Sequence, residues 1–187
     1  MAVKLIASDL DGTLLTNKKE LSPRTREALD LAAAQGIYLV PATGRSFESV
    51  PEMIREYSGV EYLITANGGA VYSVSEKKRI YQCLMTPESV EAAIAVRKRE
   101  KMVMEVVVDG VPYAEEAYVR DPIRYLATEY GARYIKATRT PVKDIIEFAA
   151  QHAKELDSIS FVCSHEDRNR LYTSLEKEIP DIYVTSS

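Results

Sequence analysis

The sequence has few cysteines, no long apolar run and no excess of positive charge. Its two cysteines, Cys83 and Cys163, lie far apart, which is typical of packing residues in a reducing compartment. No apolar run reaches the length of a membrane span, and the first residues lack the pattern of a signal peptide. A net charge of −4 gives no general attraction to nucleic acids or anionic membranes. We therefore expect a cytoplasmic protein without nucleic-acid or membrane partners.

The composition is that of a globular protein, with 46% apolar and 28% charged residues among 187. Strand and helix patterns alternate up to residue 83, and helices mixed with hairpins follow from residue 84. We therefore expect two domains, 1–83 and 84–187. The predicted strands cover residues 3–7, 37–42, 62–66, 70–72, 80–83, 102–108, 111–114, 158–163 and 181–185. The predicted helices cover residues 22–36, 46–57, 86–100, 121–130, 141–154 and 164–178. Pro51 lies either early in the second of these helices or marks its true start.

The first predicted strand ends in a pair of carboxylates. Residues 3–7 are almost all apolar, which predicts a strand buried on both faces of a parallel sheet. Asp9 and Asp11 are two residues apart, so in an extended segment their side chains leave on the same face. Gly12 allows a sharp turn, and Thr13 adds a hydroxyl beside exposed backbone N–H groups. Open α/β sheets bind their ligands at this end of a strand.

An ordinary turn is the alternative interpretation of Asp-Leu-Asp-Gly-Thr, because aspartate and glycine dominate turns for local reasons. A turn requires neither the apolar run before this segment nor the Leu14-Leu15 pair after it. The longer pattern therefore favours a functional site.

Two further strand ends carry polar groups suited to an oxyanion. Thr43-Gly44-Arg45 follows the second strand of the parallel pattern and offers a hydroxyl, backbone amides and a guanidinium. Asn67-Gly68 follows the third strand and also predicts a turn into the next strand. Each motif alone is more often a plain turn, so their order along the chain carries the prediction.

Residues 6–15, followed in order by Thr43-Gly44-Arg45 and Asn67-Gly68, closely resemble the Cof-type branch of the haloacid-dehalogenase-like (HAD) phosphohydrolase superfamily. The resemblance implies a partial Rossmann-like parallel three-layer α/β core with an inserted α+β cap of the C2 type. It also implies Asp9 as the nucleophile that forms an aspartyl-phosphate, and Asp11 as the general acid and base. The residues implied to bind phosphate or substrate are Gly12, Thr13, Thr43, Gly44, Arg45, Asn67 and Gly68.

Charge repulsion predicts a divalent cation at such a site. Each pair of unit charges about 4 Å apart costs roughly 4 kcal/mol at an effective dielectric constant near 20, so two carboxylates repel a phosphate dianion. An environment of carboxylate and phosphate oxygens favours Mg2+ over softer metals. The resemblance likewise implies Mg2+ held by the side chain of Asp9 and the backbone carbonyl of Asp11.

Two later motifs of the family, a lysine and a Gly-Asp-rich acidic segment, normally follow the cap. The chain contains no Gly-Asp pair, and residues 84–187 read as cap sequence to the end. We therefore expect a fragment with impaired activity whose returning core strands are absent. Residues 3–7 would then form an exposed apolar edge, which predicts self-association.

The function expected from the sequence is hydrolysis of small phosphorylated metabolites by a Mg2+-dependent phosphatase. Two alternatives remain open at this point. One is a non-catalytic protein that keeps the phosphate loop as a binding or interaction module. The other is a phosphomutase, because related branches of the superfamily share the first motif.

Overall fold

The computed structural model describes residues 3–100 and 102–186. The chain divides into two compact units, with the boundary between Cys83 and Leu84. Both units combine helices with strands, and the sheets contain parallel as well as antiparallel pairs, so the mixed α/β fold class is confirmed. Within the described ranges, no helix combines the length and apolar character that crossing a membrane requires.

The first unit begins with a strand, a helix and a second strand parallel to the first. Its elements are β1 (Leu5–Ser8), α1 (Pro23–Ala34), β2 (Tyr38–Pro41), α2 (Glu52–Arg55), β3 (Tyr62–Thr65), β4 (Ala70–Ser73) and β5 (Lys78–Gln82). β1 and β2 pair in parallel, and a parallel bridge joins Ala42 to Ile64 of β3. β3, β4 and β5 form an antiparallel sheet. The carboxyl ends of β1, β2 and β3 therefore lie at one edge.

Helix α1 shows how local sequence sets the ends of an element. The Ser22 hydroxyl accepts a 3.0 Å hydrogen bond from the Thr25 N–H, which satisfies one of the open donors of the first turn. Pro23 begins the helix, where its missing N–H would have no partner in any case. Gly36 then adopts a φ of 72°, a left-handed conformation that glycine enters easily. The helix predicted at 22–36 is confirmed.

The core of the first unit fixes the segment that carries the two aspartates. Leu10 is fully buried, whereas Asp9 and Asp11 on either side of it are exposed. The alternation predicted for these three residues is thus confirmed. The buried residues packed with Leu10 are Leu15, Leu21, Ala32, Leu39, Val50, Ile54, Tyr57, Val60, Leu63, Ala70 and Tyr72.

The prediction that residues 3–7 are buried on both faces is wrong. β1 pairs only with β2 in the part of the chain that the structure describes, and Leu5 and Ile6 are 52% and 38% exposed. Burial of a strand depends on its neighbours, which an apolar run by itself does not specify. The exposed apolar edge also expected for residues 3–7 agrees with the structure.

The helix predicted at 46–57 is confirmed only in the form in which Pro51 marks its true start. A 3-10 turn occupies Phe47–Ser49, and α2 begins only after Pro51. Proline disfavours helical backbone at the residue before it, which explains the interruption at Val50.

The second unit is a four-stranded sheet with helices on both faces. Its elements are α3 (Pro87–Glu100), β6 (Val103–Val108), β7 (Val111–Glu115), α4 (Glu116–Arg120), α5 (Glu129–Thr138), β8 (Thr140–Val142), α6 (Ile145–Gln151), β9 (Leu156–Val162) and α7 (Arg168–Glu178). The strand order is β8-β7-β6-β9, and Asp109-Gly110 forms the predicted β6–β7 hairpin. Buried residues of α3 and α6 pack with Met104 and Val106, whereas Tyr118 of α4 and Ile135 of α5 pack with Val103.

Three predictions in the second unit are wrong for identifiable reasons. Residues 122–125 form only a 3-10 turn, and α5 starts later because the Thr128 hydroxyl caps it by accepting from the Gly131 N–H at 3.1 Å. The helix predicted from residue 141 begins at Ile145, after the Asp144 cap, because Thr140–Val142 pairs with β7. No strand forms at 181–185, because none of the strands in the described ranges pairs with this segment.

We expect the open edge of β1 to promote self-association, because an exposed apolar edge strand is a template for pairing. Replacing Leu5 by lysine should raise the concentration at which dimers form several-fold, since a charged side chain on the edge blocks pairing. Light scattering over a concentration series measures this effect. Leu31→Lys is the control, because Leu31 is similarly exposed, at 60%, but lies on α1. Wild-type protein that stays monomeric at high concentration would contradict the expectation.

Candidate active site

The three polar loops predicted from the sequence lie together at the carboxyl ends of β1, β2 and β3. The Ala42 N–H donates to the Ser8 carbonyl at 2.8 Å, and the Thr43 N–H donates to the Ile64 carbonyl at 2.9 Å. These bonds extend the strand pairing past the strand ends. The loops that begin at residues 9, 43 and 66 are therefore held side by side within the first unit.

Asp9 lies in a tight loop that brings Thr13 back to its side chain. The Thr13 hydroxyl donates to Asp9 Oδ2 at 3.2 Å, and the Leu14 N–H donates to the Asp9 carbonyl at 3.2 Å. Gly12 has a φ of 84°, which allows this reversal. The Asp9 carboxylate remains exposed, so it can reach a ligand in solution.

Asp11 is held by two cations. Arg45 donates from Nε to Oδ2 at 2.7 Å and from Nη2 to Oδ1 at 2.8 Å, and Lys19 Nζ lies 2.6 Å from Oδ1. The hydrogen bonds from Arg45 are the main cause that lowers the Asp11 pKa from 3.8 to about 2, with Lys19 adding to the effect against partial burial. Asp11 is thus a carboxylate at neutral pH.

Arg45 is a bridge between two segments. Besides its bonds to Asp11, its Nη1 donates to the Ser49 carbonyl at 2.8 Å, and the side chain is only 13% exposed. The structure therefore places Arg45 beside the general acid and base expected from the sequence. Its predicted contact with phosphate remains a prediction.

The loops after β2 and β3 interlock through their backbones. The Asn67 N–H donates to the Thr43 carbonyl at 3.2 Å, and the Ala66 N–H donates to the Arg45 carbonyl at 2.9 Å. The Thr43 side chain is buried and its hydroxyl accepts from the Arg45 N–H at 3.2 Å. A Cβ on Gly44 would lie 2.7 Å from Asn67 Oδ1, so with any other residue here the Asn67 side chain would have to move.

Three consecutive residues of the third loop have left-handed backbone. The φ angles of Ala66, Asn67 and Gly68 are 49°, 54° and 98°. Asparagine and glycine accept this region, whereas alanine does so only at a cost of about 1 kcal/mol or more. Such strain persists only where surrounding contacts enforce it, and the interlocked loops supply those contacts here.

Lys19 is the site residue that sequence reasoning missed. It stands eight residues after Asp11 in an Asn-Lys-Lys-Glu segment that reads as a solvated turn. No helix or strand periodicity relates it to Asp11. The only available signal was the presence of a cationic turn shortly after an acidic pair, and that signal is common.

The oxygen atoms at this edge fit a hard divalent cation. The Asp9 carboxylate is exposed, and the Asp11 backbone carbonyl follows two residues later, whereas the Asp11 side chain is occupied by Lys19 and Arg45. No cluster of three or more His, Cys, Asp or Glu side chains exists among residues 3–100 and 102–186. Mg2+ commonly uses one or two carboxylates and completes its shell with water and phosphate oxygens, so this set suits it.

Comparison with known families identifies the class of protein to which this fold and loop set belong. A model of haloacid dehalogenase-like hydrolases matches residues 6–187, so the chain belongs to that family. The family resemblance drawn from the sequence is confirmed.

Two relatives match almost the whole chain. The HMP-PP phosphatase of Klebsiella pneumoniae (strain 342) is 28% identical over 178 residues, which cover 95% of this chain and 61% of that protein. The pyridoxal phosphate phosphatase YbhA of Escherichia coli (strain K12) is 27% identical over 174 residues, or 91% of this chain and 62% of that protein. The chain thus spans about three fifths of the length of these relatives.

A solved structure supports the same fold. The HAD subclass IIB sugar phosphatase BT4131 superposes with a TM-score of 0.75 at 19% identity, covering 98% of this chain and 66% of that one. At this level of identity the likeness concerns the fold alone.

Gly44→Ala should move the Asn67 side chain without unfolding the protein. The new methyl group would meet the amide oxygen, and an exposed side chain can rotate away, so we expect a stability change below about 1 kcal/mol. Amide NMR shifts of Asn67 and thermal unfolding measure the two effects. Gly59→Ala is the control, because its Cβ would meet Leu39 and Ala33 at 2.8 and 2.9 Å and should destabilise by about 1–3 kcal/mol. An unchanged Asn67 resonance would refute the contact.

Asp11→Asn should make the free energy of unfolding depend less on pH under acidic conditions. A carboxyl whose pKa is lowered on folding stabilises the folded state above its unfolded pKa, and this contribution is lost as pH falls toward the folded value of about 2. At pH 7 the variant should be less stable by under about 1 kcal/mol, since the pair is partly exposed. Urea unfolding between pH 7 and 3 should show this difference shrinking below about pH 4. If the difference in unfolding free energy between the wild type and Asp11→Asn stays constant from pH 7 to pH 3, the ion pairs of Asp11 with Arg45 and Lys19 are contradicted.

Proposed function

We propose that the chain carries the nucleophile half of a Mg2+-dependent phosphatase that acts on small phosphorylated metabolites. The observation that carries this proposal is the contrast between the two aspartates at the end of β1. Asp9 is exposed beside one hydroxyl, whereas Asp11 is paired with two cations. Two carboxyl groups in such different environments are suited to different steps of one reaction.

In this proposal, Asp9 is the nucleophile. A carboxylate oxygen forms a bond to phosphorus as the bond from phosphorus to the leaving oxygen breaks, which gives an aspartyl-phosphate and an alcohol. Water then attacks phosphorus, the Asp9 carboxylate is restored, and orthophosphate leaves. The hydrogen bond from Thr13 keeps one Asp9 oxygen oriented and leaves the exposed side chain accessible.

Asp11 moves the proton in both steps of the proposed reaction. As a carboxylate at neutral pH it can accept the proton of the attacking water. To donate a proton to the leaving oxygen, Asp11 must first be protonated, which requires weaker interactions with Arg45 and Lys19. Arg45 can provide this change, because a guanidinium binds a phosphate oxyanion with the same paired geometry that it uses for a carboxylate.

The other loop residues would form the phosphate cradle. Thr43 contributes a hydroxyl, and Gly68 helps to shape the left-handed segment on which the exposed Asn67 side chain lies, a backbone form typical of anion-binding concavities. Bound Mg2+, held by the Asp9 side chain and the Asp11 carbonyl, would supply the positive charge that lets a phosphate dianion approach two carboxylates.

The choice of substrate belongs to the second unit in this proposal. The sequence of residues 84–187 resembles a C2-type α+β cap. In the family, the cap is the domain that selects the substrate. The names of the two matched relatives, an HMP-PP phosphatase and a pyridoxal phosphate phosphatase, favour small phosphorylated metabolites as the substrate class.

Phosphate release from a generic aryl phosphate, with and without Mg2+, tests the proposal. The protein from its native cells, with its intact mass recorded, should be assayed beside the 187-residue chain. Asp9→Asn should lower Mg2+-dependent release by more than about a thousandfold, because it removes the nucleophile. Asp109→Asn is the control, since Asp109 lies in a hairpin turn where asparagine also fits.

Other outcomes of the assay favour other functions. Phosphate binding without release by either sample would indicate a non-catalytic binding protein. A sugar phosphate that is isomerised without release of phosphate would indicate a phosphomutase. Release that persists in Asp9→Asn would refute the assignment of the nucleophile.

A further inference from the structure

Lys19 lies in a turn whose two ends are anchored in the core. Leu15 and Leu21 are 2% and 8% exposed, and an antiparallel bridge joins them at the base of the turn. Helix α1 begins immediately afterwards, with Ser22 as its cap. Since both ends are fixed, the turn between them has little freedom to change its direction.

Hydrogen bonds within the turn also restrict its shape. The Thr16 N–H donates to the Glu20 carbonyl at 2.9 Å, and the Lys19 N–H donates to the Thr16 carbonyl at 2.8 Å. The Thr16 hydroxyl accepts from the N–H groups of Lys18 and Glu20 at 3.3 and 3.4 Å. Lys19 itself has a φ of 61°, which is unfavourable for a residue with a Cβ.

This turn brings the Lys19 ammonium onto one oxygen of Asp11. Nζ lies 2.6 Å from Oδ1, and Arg45 Nη2 binds the same atom from 2.8 Å. Arg45 Nε donates to the other oxygen, Oδ2, at 2.7 Å. Lys19 and Arg45 therefore both orient the Asp11 carboxylate.

We propose that Lys19 is a positioning residue for Asp11, an inference that rests on the proposed phosphatase function. Its role is to keep the carboxylate oriented when Arg45 turns toward the phosphate of the substrate. Lys19 can do so because its bond to Oδ1 does not depend on Arg45 and its own turn is fixed by Leu15 and Leu21.

A gain in stability does not explain why Lys19 adopts a left-handed backbone to reach Asp11. The Lys19 and Asp11 side chains are 31% and 34% exposed, and ion pairs with this exposure add little net stability. The left-handed backbone of Lys19 removes a comparable amount. An unfavourable backbone conformation that is kept for a weak ion pair is better explained by the orientation that it imposes on Asp11.

Lys19→Asn separates orientation from folding, because asparagine tolerates left-handed backbone but carries no charge. We expect kcat to fall about tenfold, as part of the proton-transfer advantage is lost, while KM changes by less than about twofold. Lys19→Arg should recover most of kcat, since it restores a cation at Oδ1. Thermal unfolding of Lys19→Asn should stay within a few degrees of the wild type.

The chain offers a matched control. Lys77 also has left-handed backbone, with a φ of 51°, but lies in the turn between β4 and β5. Lys77→Asn should leave kcat and KM unchanged. An equal loss of kcat in both variants would overturn the inference, because it would reflect the turns and not the contact with Asp11.

The remaining outcomes distinguish this inference from the proposed function. Wild-type protein that releases no phosphate overturns the proposed function, and the role of Lys19 with it. Active wild-type protein with unchanged kcat in Lys19→Asn overturns the role of Lys19 alone. A fall in kcat that comes with a large loss of thermal stability, and that Lys19→Arg does not recover, would assign Lys19 a structural role instead.

Discussion

The ion pair between Asp11 and Arg45 is the interaction on which the candidate site depends. It joins the loop after β1 to the loop after β2, and Arg45 extends the connection to the Ser49 carbonyl. Without this pairing, two carboxylates at one strand end would repel each other and any anion that approaches them. Neutralising Asp11 within the protein leaves Asp9 as the exposed acid available to a ligand.

Patterns that depend on neighbouring residues were predictable from the sequence. The exposure of Asp9 and Asp11 on either side of buried Leu10 follows from the alternation of an extended chain. The ends of α1 follow from the Ser22-Pro23 cap, and the β6–β7 hairpin follows from Asp109-Gly110. In each case, a few adjacent residues contain both the cause and the result.

Features that depend on distant partners were not predictable in this way. For example, β8 exists because Thr140–Val142 pairs with β7. The contact between Lys19 and Asp11 depends on the path of a turn fixed by Leu15 and Leu21. The late start of α5 is a different case, because it reflects competition between two local signals, Gly131 and the Thr128 cap.

The backbone bonds between the second and third loops have a mechanical consequence. The Asn67 N–H donates to the Thr43 carbonyl, and the Ala66 N–H donates to the Arg45 carbonyl. The two loops are therefore joined by hydrogen bonds on both sides of Gly44. A thermal fluctuation that lifts one loop must break both bonds or carry the other loop with it. The Thr43 hydroxyl and the left-handed segment therefore behave as one rigid body, which a ligand meets already assembled and not in separate stages.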